Sequence, residues 1–155
     1  MNATKKTIKR FSILKIVHNE IDEVDIPCLN KVANSTTEAA IILQDFIGDS
    51  AQEQCYALYL DTHLKFIGVA LVGLGSSTEA HVDIRGIFQH ALLCGATNII
   101  IGHNHPTGNL ELSDNDLFLF SRLKDAGKSL DIKVLDMIAV SDTNYASAAE
   151  EDLIS

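Results

Sequence analysis

Apolar positions recur along the chain at two periods, and each change of period marks an element. Phe11 to Val17 (Phe-Ser-Ile-Leu-Lys-Ile-Val) partly alternates, as a half-buried outer strand does, and an acidic turn region from Glu20 to Asp25 follows it. Asn34-Ser35-Thr36-Thr37-Glu38 supplies capping residues, and Ala39, Ile42, Leu43, Phe46 and Ile47 then fall at helical spacing up to Gly48, which predicts a helix over 36–47. Gln54 to Leu60 and Phe66 to Leu74 are dense in apolar residues and separated by a short polar gap, the pattern of two core strands joined as a hairpin. Gly73 and Gly75 interrupt that pattern. Val82 to Cys94 then places Val82, Ile84, Ile87, Phe88, Ala91 and Leu92 on one helical face and stops at Gly95.

Asn98 to Gly102, with Ile99-Ile100-Ile101 at its centre, is a short apolar run of the kind buried on both faces of a sheet. Ser113 opens a further helix with Leu117, Phe120, Leu123 and Leu130 as its apolar markers and Gly127 as a weak point, and Asp131 to Val140 reads as a final strand. Strands alternating with helices predict a layered α/β domain. Residues 1–33 are expected to form an amino-terminal extension with an edge strand, and residues 34–155 the domain itself.

Composition narrows the classes. A chain of 155 residues, with 46% hydrophobic and 21% charged positions, can bury one core without disulfide or metal staples. The formal net charge of -9 repels phosphate backbones, which argues against a general nucleic-acid binder. The basic cluster Lys5, Lys6, Lys9 and Arg10 sits at the amino terminus and reads as a solvated arm. No stretch approaches the ~18 consecutive apolar residues of a membrane span, and no signal-peptide core precedes the domain, so a cytoplasmic location is expected. Cys28, Cys55 and Cys94 are widely spaced, as buried reduced thiols are, and no pair has zinc-finger spacing. Nothing in the pattern selects a monomer over a homo-oligomer.

The chemistry concentrates where the apolar run of Ile99 to Ile101 ends, in Gly102-His103-Asn104-His105-Pro106-Thr107-Gly108. In extended chain, residues i and i+2 project to one side, so His103 and His105 can converge on one ion. Pro106, Gly108 and Asn109 permit a chain reversal that returns Asp116 towards them. Two His and a carboxylate are a familiar catalytic set for zinc, with the fourth position left to water. Ser113 and Asp116 have a second reading, since Ser-x-x-Asp resembles a helix capping box; capping and ligation are compatible. Glu53 stands just before the apolar strand Gln54 to Leu60, and periodicity does not select it as a base over a solvated acid at a strand end.

With these residues the chain resembles the JAB/MPN metalloenzyme domains that carry the JAMM motif, and within them the RadC-like branch. His103-x-His105-Pro106 is followed by seven residues from His105 to Ser113 and two more to Asp116, matching the family's spacing. The likeness runs from about residue 34 to 140. It includes Glu53-Gln54-Cys55-Tyr56-Ala57-Leu58-Tyr59-Leu60-Asp61, similar to the family's Glu-bearing strand, and the helix holding Arg85, which is read as structural, as a subunit contact, or as a merely exposed side chain.

The resemblance implies a mixed sheet flanked by helices, similar to cytidine deaminases, and Zn2+ held by His103, His105 and Asp116. It further implies Glu53 as general acid/base, Ser113 polarising the scissile carbonyl, and hydrolysis of a peptide or isopeptide-linked protein substrate. The lack of a His-x-Glu and Pro-Cys-x-x-Cys pattern argues against a deaminase. The chain departs from the RadC-like pattern at Thr107 (usually Ser), at Leu112 (usually Pro) and at Met137 (usually His). The helix-hairpin-helix segment of many relatives is not expected before Thr36. Two other readings stand beside the hydrolase: a non-catalytic metal-binding accessory protein in DNA repair or mobile-element biology, and a metal-dependent nuclease.

Overall fold

A computed structural model of the chain describes residues 32–33, 35–76 and 79–151. The strand expected at Phe11 to Val17, the basic cluster and Cys28 lie outside these residues. The elements run α1 (Thr36–Ile47), β1 (Gln54–Leu60), β2 (Phe66–Ser76), β3 (Glu79–Val82), α2 (Ile84–Cys94), β4 (Asn98–Asn104), α3 (Asp114–Lys128), β5 (Lys133–Val140) and β6 (Tyr145–Ser147).

The strands form one mixed sheet in the order β3-β2-β1-β4-β5-β6. Only β4 and β5 are parallel, and α3 makes the crossover between them; every other neighbouring pair is antiparallel. Because side chains alternate across a strand, the sheet sorts its apolar residues onto two faces. Leu58, Leu60, Ile100, Ile138 and Val140 meet Ala39, Ala40, Leu43 and Ile47 of α1. Ala57, Tyr59, Ile99, Ile101, Met137 and Ala139 meet Ile87, Phe88 and Ala91 of α2 and Phe120 and Leu123 of α3. The result is the layered α/β domain expected, with a helix layer on each face. All seven residues of β4 are buried, as a central strand covered on both sides requires.

The helix starts follow from their caps. Ser35 Oγ accepts from the Glu38 amide at 3.3 Å, and Asp83 Oδ1 from the Gly86 amide at 2.9 Å. The second cap corrects a boundary: Val82 ends the short strand β3 rather than opening the helix, because Asp83 takes the cap position. Gly73 and Gly75 also do not end their strand, for β2 runs on to Ser76 and pairs with β3 through Gly73↔Val82 and Gly75↔Ala80. The last long strand begins at Lys133, after Asp131 takes the left-handed conformation at φ 54°. Gly102 lets α1 lie close against β4, since a Cβ there would stand 2.2 Å from Leu43 Cδ1.

Candidate metal centre

β4 carries His103 and Asn104 at its carboxyl end, and the chain then reverses over 105–108, closed by the Gly108 amide on the His105 carbonyl at 2.9 Å with Gly108 at φ 75°. Leu112, at the position where Pro was expected from the resemblance, is buried in the core beside α3 and so fixes the loop just before the helix start. α3 opens with a complete capping box. Ser113 Oγ accepts from the Asp116 amide at 3.2 Å, and Asp116 Oδ2 accepts from the Ser113 amide at 2.8 Å and from Ser113 Oγ at 2.6 Å.

The capping box uses Asp116 Oδ2 and leaves Oδ1 turned to His103. Asp116 Oδ1 faces His103 Nε2 at 3.7 Å, and His105 Nε2 lies 4.0 Å from Asp116 Oδ2. The two Nε2 atoms are 2.8 Å apart. One donor atom from each of His103, His105 and Asp116 lies within 4.8 Å of the others, and no other group of three or more His, Cys, Asp or Glu residues gathers this way among the described residues.

The protonation states suit an ion. Burial, opposed by the Asp116 carboxylate and helped by the neighbouring His105 ring, holds His103 down at about 4, so the ring is neutral at pH 7. His105 Nδ1 donates to the Asn109 carbonyl at 2.5 Å, which leaves the Nε2 of a neutral ring as a bare lone pair. The close Nε2 pair can then be satisfied by a proton on His103 Nε2 or by a cation shared between both nitrogens. Two imidazole nitrogens and a carboxylate oxygen are a donor set that divalent transition metals accept. The residues present therefore fit a metal ion.

Cys55 lies directly across the β1–β4 ladder from His103, and so on the same face of the sheet. Burial first, and then the carboxylates of Asp116 and Glu53, push its thiol up to about 12. It therefore floors the site as a neutral thiol. Glu53 precedes Cys55 by two residues, which puts its side chain on that face as well, and it is half-buried. Its carboxylate rests against the backbone of Gly75: a Cβ at Gly75 would stand 2.8 Å from Glu53 Cβ and 3.0 Å from Glu53 Oε2. The Gly75 amide donates to the Glu53 carbonyl at 2.9 Å.

The structure thus gathers His103, His105 and Asp116, and lays Glu53 on the same side of the sheet. Ser113 is adjacent through Asp116, with its hydroxyl proton directed at Asp116 Oδ2. Met137, where the resembled pattern has His, pairs with Ile101 and is buried on the site-facing side of β5, so the floor there is apolar. Arg85 is exposed on α2. Two contributors escaped the sequence reading. Gly75 seats Glu53, and Asn104 between the two histidines is 1% exposed and fully hydrogen-bonded. Gly in a strand, and an amide inside a fully apolar element, were the signals for each.

A mixed α/β sheet that ends an inner strand in His-x-His, with an acid of the following helix turned back onto the pair, defines a domain with a candidate metal centre. The chain belongs to the RadC-like JAB domain family, whose model matches residues 33–153. It is 36% identical over 129 residues to a UPF0758 protein of Flavobacterium johnsoniae, covering 83% of this chain and 56% of that one. A UPF0758 protein of Cyanothece is 36% identical over 121 residues, 78% of this chain and 50% of its own length. One of Streptococcus suis is 38% identical over 105 residues, 68% of this chain and 43% of its own. The chain spans about half the length of the curated relatives it matches. Among the described residues no helix is long and apolar enough to cross a membrane.

Proposed function

We propose that this chain is a zinc-dependent hydrolase of peptide or isopeptide bonds, with His103, His105 and Asp116 as the metal ligands and Glu53 as general acid/base. The carrying observation is that Asp116 satisfies the helix start with Oδ2 while Oδ1 remains turned towards His103. A carboxylate needed only for capping has no reason to share its space with two converging imidazole nitrogens. Zinc, when bound, supplies a Lewis acid that polarises a carbonyl and acidifies water.

The chain's own groups would do the rest. His105 is held in its ligating tautomer by Asn109, and His103 is kept neutral by burial. Glu53, half-buried and backed by Gly75, would take a proton from the attacking water on its carboxylate and return it to the leaving amine nitrogen. Ser113 orients Asp116; donating to a developing oxyanion would require its hydroxyl to turn from Asp116 Oδ2. A peptide or isopeptide-linked protein is the substrate class, and the net charge of -9 disfavours nucleic acid as a partner.

The test measures metal content by mass spectrometry, together with cleavage of peptide and isopeptide-linked substrates, on wild type, Glu53→Gln and His103→Ala. Expected are one zinc per chain in wild type and in Glu53→Gln, cleavage by wild type alone, and loss of zinc in His103→Ala. Zinc bound without cleavage would favour the non-catalytic accessory reading, and a wild-type protein that takes up no metal would end the hydrolase reading.

A further inference from the structure

We propose that Asn104, the residue between the two histidines, is a positioning residue that sets Glu53 relative to the metal ligands; this rests on the reading of Glu53 as the acid/base. The backbone pairing of β1 with β4 ends at Cys55↔His103. One residue further on, the Asn104 side chain takes over from the ladder: Oδ1 accepts from the Gln54 amide at 2.8 Å, and Nδ2 donates to the carbonyls of Gln52 at 3.1 Å and Ser50 at 3.0 Å. The residues on both sides of Glu53 in sequence are therefore bound by one buried amide.

The chemistry of that amide is selective. The turn into β1 presents one N–H and two C=O groups, and a carboxamide offers one acceptor and two donors from a single planar group. An Asp there would aim a carboxylate at two carbonyls, and an apolar residue would take the Asn104 partner from the Gln54 N–H and the Ser50 carbonyl and leave the Gln52 carbonyl only the Ser50 hydroxyl at 2.9 Å, in a place where Asn104 is 1% exposed. On the far side, the Glu53 carbonyl accepts from the Gly75 amide at 2.9 Å, so the Glu53 backbone is held from β4 and from β2 at once. Alternation along β4 sends the histidines to one face and Asn104 to the other. The same three residues thus carry the ligands and the device that fixes the acid/base, and a shift of one moves with the other.

The experiment compares wild type, Asn104→Asp, Asn104→Ser, Glu53→Gln and Asn104→Ser/Glu53→Gln. The metal-free proteins are read by amide hydrogen exchange at Gln54. The cobalt-loaded proteins are read by metal stoichiometry, metal affinity and the visible absorption as a function of pH. The polar Asn104→Ser and near-isosteric Asn104→Asp guard against simple failure to fold, checked by circular dichroism. The proposal expects Asn104→Ser to lose Gln54 protection by about tenfold or more, to keep cobalt at one per chain with near-wild-type affinity, and to shift the pH profile in the same sense as Glu53→Gln. The double variant should shift no further than Glu53→Gln alone. Lost protection with a wild-type pH profile would make Asn104 structural only and overturn the proposal. So would a loss of cobalt affinity in both Asn104 variants, since Asn104 would then act on the ligands. A Glu53→Gln profile identical to wild type would instead remove the acid/base reading itself, and the proposal with it.

Discussion

The buried state of His103 has a direct consequence for stability in acid. In the folded chain its ring titrates at about 4, chiefly because burial penalises the charged form, against 6.5 for a free histidine. Above pH 6.5 the ring is neutral in folded and unfolded chains alike, and its protonation costs nothing. As pH falls from 6.5 towards 4, the unfolded chain takes up a proton that the folded chain refuses, so stability falls through that window and levels off below it. At about 1.4 kcal/mol for each pH unit between the two values, the loss reaches about 3 kcal/mol, a large share of the ~5–15 kcal/mol that holds a domain together. Urea unfolding followed by circular dichroism in the presence of a chelator, at several pH values between 7.5 and 4, measures it. The control is His103→Asn, a neutral side chain that does not titrate. Wild type should lose stability more steeply than the variant, so that the gap between the two curves changes by up to about 3 kcal/mol across the window. Parallel curves would refute the assignment of a neutral, proton-refusing His103.

Three further outcomes follow from close contacts. Gly75→Ala puts a methyl group 2.8 Å from Glu53 Cβ, so peptide hydrolysis should fall about 100-fold with zinc content unchanged; undiminished turnover would show that Glu53 need not sit where it does. Gly102→Ala meets Leu43 at 2.2 Å and should destabilise the fold by about 3 kcal/mol or more, with part of the loss recovered in Gly102→Ala/Leu43→Ala. Strictly additive losses in thermal or urea unfolding would contradict that packing. Ser113→Ala removes the acceptor for the Asp116 amide and one of the two hydrogen bonds that orient Asp116 Oδ2. It should cost about 1 kcal/mol of stability and about tenfold or more in zinc affinity by chelator competition; unchanged affinity would separate the cap from the metal site.

The helices and inner strands were legible because each writes its own period. Ala39, Leu43 and Ile47 return every fourth residue on the buried side of α1, and Ile99 to Ile101 form the unbroken apolar run that a strand covered on both faces needs. Boundaries were less legible where a polar residue had two uses. Asp83 reads as part of a helical segment until its side chain is seen to cap Gly86, and Gly73 and Gly75 read as breakers until β3 is seen beside them. β6, three residues long, is too short to show a period, and only its pairing with β5 through Ile138↔Ser147 to Val140↔Tyr145 makes it a strand.

The sequence by itself determined which residues could form the site. The i, i+2 spacing of His103 and His105 follows from strand geometry, and the Ser113-to-Asp116 interval from the first turn of a helix, both local rules that need no knowledge of the rest of the chain. Only the tertiary structure decided how those residues meet. The capping box occupies Asp116 Oδ2 and leaves Oδ1 turned to His103, which no spacing reveals. Glu53 reaches the face of His103 because β1 lies antiparallel to β4 in a register that sets Cys55 opposite His103. Asn104 and Gly75, polar and blank in the linear pattern, gain their roles only from the strands that fold against them. Local periods record what each segment buries; pairing register and close approach depend on partners some 20 to 50 residues away, and the amino-acid order carries no short-range trace of them.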